Sequence, residues 1–128
     1  MTSLLFASLA GLIHIYIFFM ESILWGQPGT NRMFKVSPDQ AEAGRVWAFN
    51  QGYYNLFLAI AVFIGIGAAL LRGSSEFADT LLVYSCLSMI GASVVLLFSN
   101  PGALAAAVFQ GGAPTIAVAA WVIEYLKR

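Results

Sequence analysis

Residues 3–25 read SLLFASLAGLIHIYIFFMESILW, and this stretch decides the fold. It holds one formally charged side chain, Glu21, and one histidine, His14. At a helical rise of about 1.5 Å per residue, such a segment extends about 35 Å, enough to cross the ~30 Å hydrocarbon layer of a bilayer. It lacks the basic start of a secretory signal and carries an acid within its apolar run, so we read it as a retained membrane helix. Three further apolar stretches, 46–71, 77–99 and 103–125, are of similar length.

Composition leads to the same conclusion. The chain has 128 residues, of which 60% are apolar and 9% charged, against about 25% charged in an ordinary soluble domain. A chain of this length cannot bury that much apolar surface in its own core, so lipid must cover the excess. The predicted fold is all-α: one integral membrane four-helix bundle spanning residues 1–128, with membrane lipids as its first partners. Six Lys and Arg balance six Asp and Glu, leaving no basic excess for a nucleic-acid partner. Cys86 is the only cysteine, so neither an internal disulfide nor a cysteine metal cluster can form. No metal or cofactor is expected.

The connections are marked by turn chemistry. Residues 26–45 form the one sizeable polar connection, and it contains Ser37-Pro38-Asp39-Gln40. Ser37 suits a helix cap, Pro38 the first helical position, and Gln40 the reciprocal partner of a capping box. The second helix is therefore expected to start in water or at the interface, and to be longer than the membrane requires. Arg72-Gly73-Ser74-Ser75 reads as a tight turn with Ser75 as cap, and Glu76 and Asp79 suit the positive start of the third helix. Asn100-Pro101-Gly102 forms the last turn. Arg72, Lys127 and Arg128 fall on one side of the membrane and Arg32, Lys35 and Arg45 on the other, so basic residues do not set the orientation.

Chemistry enters where polar side chains occur at membrane depth. On an α-helical count Gly11, His14, Phe18, Glu21 and Trp25 fall within about 80° of one another, which puts His14 and Glu21 on one face, two turns apart. An ionised Glu facing hydrocarbon costs kilocalories, so Glu21 is expected to be neutral, paired or in a wet cavity. The second span offers Trp47, Asn50, Gln51, Tyr54 and Asn55 on an arc of about 140°. Antiparallel neighbours bring Glu21 and Asn50 to similar depth, and Gly52 and Gly65 would allow close helix approach. In the fourth span Gln110 enters from the same membrane side, and Gly111-Gly112-Ala113-Pro114 weakens the backbone just below it.

These arcs predict a polar cavity near the first and third connections. Glu21, Asn50, Gln51, Tyr54, Asn55 and Gln110 would line it, with His14 as its floor and Trp25 at its edge. Each residue also has a plain structural role: His14 and the carboxamides as interhelical glue, Trp25 and Trp121 as interface anchors, Cys86 as a small buried hydrophobe.

The run from His14 through Glu21 to Trp25, followed by Asn50-Gln51-Gly52-Tyr53-Tyr54-Asn55, resembles the small bacterial membrane proteins grouped as domain of unknown function 1304. The resemblance covers nearly the whole chain. It implies four spans in this order and a bacterial cytoplasmic membrane, and it singles out the same polar groups without assigning an activity.

Two mechanisms of different class fit these residues. In one, Glu21 exchanges a proton for a small lipophilic or cationic molecule, so that the chain binds or transports it. The chain is similar in scale to small multidrug transporters, which also use a first-helix acid, but His14 and the Asn-Gln-Gly-Tyr-Tyr-Asn run depart from their pattern. Four helices enclose little volume, which points to a homodimer. In the other, Glu21 and His14 act as acid and base of a membrane enzyme on a lipid or isoprenoid, although about 10 Å of helix separates them. A third reading, a structural or interaction subunit, predicts a dry, filled interface around Glu21.

Overall fold

In hydrocarbon a backbone finds hydrogen-bond partners only within its own helix, so each apolar stretch folds as one, and the residues around it decide where it stops. The computed structural model describes residues 1–127; Arg128, counted above among the charges of one face, lies outside the described residues. Helix α1, Thr2–Phe18, passes directly into a π turn, Phe19–Ile23. A short α2, Pro28–Phe34, sits inside the first connection. Helix α3 runs Pro38–Arg72, α4 Glu76–Ser99 and, after a 3-10 turn at Pro101–Ala103, α5 Leu104–Tyr125. Four of these segments are long and apolar enough to cross a membrane, and the architecture is an all-α integral membrane bundle.

The end signals act as their chemistry requires. Ser37 Oγ accepts from the Gln40 amide at 3.2 Å while Gln40 Oε1 accepts from the Ser37 amide at 2.8 Å, closing the capping box that starts α3. That helix has 35 residues, about 52 Å by its rise, so its first turns stand clear of the hydrocarbon. It stops at Gly73, whose φ of +75° is open to glycine and strained for other residues. Ser75 then caps α4 by accepting from the Ala78 amide at 3.3 Å.

The helices pack in sequence around a ring. Helix α1 lies against α3 and α5, and α4 against the same two, so α1 and α4 face each other across the diagonal. The centre is built largely from small side chains: Ala7, Ala10, Ala113 and Ala117, with Val62, Cys86 and Met89 filling the axis. Large apolar side chains point outward instead, among them Leu5, Leu71, Val95 and Phe98. Small inside and large outside is the packing expected where lipid is the solvent, because close backbone approach and not water exclusion holds the helices together. Gly65 and Gly111 mark such approaches: a Cβ at Gly65 would stand 3.1 Å from the α4 backbone, and one at Gly111 would overlap Ser93.

Two features are not marked by sequence periodicity. Pro114 is fully buried inside α5, which continues through it, and Thr115 Oγ1 donates to the Gly111 carbonyl at 2.7 Å beside the interruption. Glu124 reaches from the end of α5 to the start of α1. Its Oε1 accepts from the Thr2 amide at 2.9 Å and its Oε2 from Ser3 Oγ at 2.6 Å. A carboxylate thus takes the place of an N-cap, from a residue at the far end of the chain.

Candidate functional site

The site begins with the π turn. The Leu24 amide bonds the Phe19 carbonyl at 2.9 Å, an i→i+5 bond that adds one residue to the turn. Past Phe19 the α-helical count that puts His14 and Glu21 on a common face no longer holds. Ser22 Oγ donates to the Phe49 carbonyl at 2.9 Å and sits where Gly52 has no side chain; a Cβ at Gly52 would overlap it. The bare backbone of Gly52 is what lets the π turn rest against α3.

From this turn Glu21 points toward α3, where Asn55 Nδ2 donates to its Oε2 at 3.0 Å and to the Gln51 carbonyl at the same distance. Asn55 is buried and Glu21 half-buried. On its other side Glu21 borders a recess of about 700 Å³ together with Trp25, Phe34, Gln40, Trp47, Asn50, Gln51 and Tyr54. The first connection forms one wall. Trp25 Nε1 donates to the Ala41 carbonyl at 2.7 Å, and its ring meets Phe34 of α2 edge-on with centroids 5.2 Å apart. Among the described residues no lysine or arginine lines the recess. Arg45, close by, is engaged with Glu42 at 2.7 Å.

Of the eight residues expected to form one cavity, Glu21, Trp25, Asn50, Gln51 and Tyr54 border this recess. Asn55 stands behind it as the partner of Glu21. His14 does not reach it: the ring is wholly buried in the bundle, Nδ1 is bonded to the Ala10 carbonyl at 2.9 Å, and Nε2 has no partner among the described residues. Gln110 is also apart, half-buried on α5, a helix that lies diagonally across from α3. Asn50 lies more exposed than the arc implied, with Nδ2 turned back to the Val46 carbonyl at 2.8 Å. Phe34 and Gln40 were missed because they belong to the connection; Pro28, which opens α2, was the available signal.

The arrangement has little capacity for a metal, since among the described residues no three His, Cys, Asp or Glu side chains come together. It has one carboxylate, carboxamides and aromatic rings at the membrane interface. The fold and site define a four-span integral membrane protein with an acidic, aromatic-lined recess at one membrane face. A family model matches residues 8–122; that family is described as protein of unknown function (DUF1304), and the chain belongs to it. No curated protein and no solved structure matches the chain.

Proposed function

We propose that the protein binds a small lipophilic cation at Glu21 and carries it across the bacterial cytoplasmic membrane in exchange for the Glu21 proton. The observation that carries this reading is the recess: one carboxylate, the rings of Trp25, Phe34, Trp47 and Tyr54, and no basic side chain on its lining. Aromatic rings attract cations by about 0.5 to 2 kcal/mol each, more where water is excluded. A strongly hydrated metal ion gains less from such walls than an organic cation that sheds little water. Proton and cation then compete for one carboxylate, so loading either releases the other.

The axis of a single bundle is filled by His14, Val62, Cys86 and Met89, which leaves no open path along it. Passage therefore involves a rearrangement of the helices, and a homodimer with the recesses facing each other supplies the volume that one chain lacks. The runner-up, an acid/base enzyme acting on a lipid or isoprenoid, needs His14 and Glu21 to meet one substrate. His14 is enclosed while Glu21 borders the recess, so this reading has less support. A purely structural subunit would have this face covered by another membrane protein, and it predicts no saturable cation binding in the titration below.

The test is calorimetric titration of the protein in lipid nanodiscs with tetraphenylphosphonium, in two buffers of different ionisation enthalpy. Saturable binding with proton release is expected; in Glu21→Gln the affinity should fall about 100-fold and the proton release should vanish. Undiminished affinity in this variant refutes the site.

A further inference from the structure

The π turn is held from outside its own helix. An apolar membrane segment favours α-helical bonding, and two side-chain bonds to α3 fasten the extra residue of Phe19–Ile23 instead. Ser22 Oγ donates to the Phe49 carbonyl at 2.9 Å, and Asn55 Nδ2 donates to Glu21 Oε2 at 3.0 Å. The backbone on either side is suited to a change of register. The Phe19 amide is already shared between the Ile15 and Tyr16 carbonyls, and Gly26 leaves the turn at a φ of +89°, a conformation open to glycine.

One of the two fastenings depends on charge. A carboxylate accepts from a carboxamide more strongly than a neutral carboxyl does, so a proton on Glu21 weakens the Asn55 bond. With α-helical bonding restored, residues 20–23 rotate by about 100° about the α1 axis, the angle of one residue. Glu21 then joins the face of Gly11 and His14, which is buried. A neutral carboxyl enters such an interior far more readily than a carboxylate. A second observation lies on that face: His14 Nδ1 donates to the Ala10 carbonyl, and the buried Nε2 is a lone-pair acceptor with no donor among the described residues. A carboxyl O–H brings the donor that this face lacks, and water spans the two turns between them.

We propose that the π turn is a proton-operated switch of the Glu21 site. The carboxylate holds the turn and faces the recess; the protonated acid releases it and turns to the bundle interior. The proposal rests on the reading of Glu21 as the exchange site, and it supplies the step by which its proton leaves the recess. Few other groups bear on it. Among the described residues Tyr54 is the one other ionisable side chain on the recess, Arg45 close by is engaged with Glu42, and the ionisable groups buried in the bundle are His14 and Cys86.

The experiment is magic-angle-spinning NMR of the protein in lipid bilayers, with labelled backbone, glutamate carboxyls and asparagine side-chain amides. The Glu21 carboxyl shift follows its own titration. With Glu21 ionised, a Glu21–Asn55 dipolar contact and non-α shifts at residues 19–24 are expected; with Glu21 protonated, the contact should vanish and the shifts become α-helical. Glu21→Gln should show the α-helical shifts at every pH. Gly52→Val, whose side chain overlaps Ser22, should show them even with the carboxylate ionised. A π turn retained in the protonated native protein, which needs no substitution, or retained in Gly52→Val, overturns the proposal. Tetraphenylphosphonium takes no part in these measurements. Absence of cation binding therefore refutes the transport reading alone, and a turn indifferent to the Glu21 proton refutes the switch alone.

Discussion

Glu21 and Glu124 are both glutamates on apolar helices at opposite ends of the bundle, and their surroundings differ in kind. Glu124 accepts from backbone amides and a serine at the start of α1, so its charge completes a helix. Glu21 accepts from a single carboxamide, that of Asn55, and borders open space. A carboxylate whose lone pairs are taken by its own fold is a structural part. One held by a single neighbour beside a recess is available to a guest.

Substitutions test whether that contrast holds. The largest effect is expected from Glu21→Gln, which should weaken tetraphenylphosphonium binding about 100-fold, about 2.7 kcal/mol, with little change in thermal midpoint. In the native protein the same affinity should fall as pH drops, about tenfold per unit once Glu21 is mostly protonated, and level off near that of Glu21→Gln, because the proton removes the charge that holds the cation. Gly52→Val should cost about 2 kcal/mol of stability by overpacking against Ser22 and the Phe18 carbonyl, read by thermal denaturation in detergent. Ser22→Ala should restore part of this loss. Glu124→Ala should reverse the Glu21 pattern: about 1 to 2 kcal/mol of stability is lost, as for a missing helix cap, while cation binding is kept. The smallest effect, about 1 kcal/mol, is expected for Trp25→Phe, which removes the hydrogen bond to the Ala41 carbonyl. If Glu124→Ala abolished binding, or Glu21→Gln unfolded the protein, the division of roles between the two acids would be wrong.

The legible part of this fold is the part written in local chemistry. Length and apolarity mark the four spans, the Ser37 and Gln40 pair announces the start of α3, and Gly73 with Ser75 marks the next turn. Each of these signals acts within a few residues. The π turn was not legible, because Phe19-Met20-Glu21-Ser22-Ile23 contains nothing that distinguishes i→i+5 from i→i+4 bonding; its cause lies on α3, in the bare backbone of Gly52. The helical count through that turn paired His14 with Glu21 on one face, whereas the fold encloses the first and leaves the second at a recess. In the second-span arc α3 is regular, yet Asn55 and not Asn50 meets Glu21, and Asn50 turns back to the Val46 carbonyl. The reach of Glu124 to Ser3 spans 121 positions, and no periodicity encodes it.

That long reach has a consequence for biogenesis. A ribosome makes Ser3 121 positions before Glu124, so α1 must insert with its leading amides unfinished. Only when the final span arrives does the carboxylate reach them, and the order of synthesis makes that bond a late closure of the ring. A chain halted shortly before residue 124 would have its four spans made and the Thr2 and Ser3 groups still without the Glu124 carboxylate.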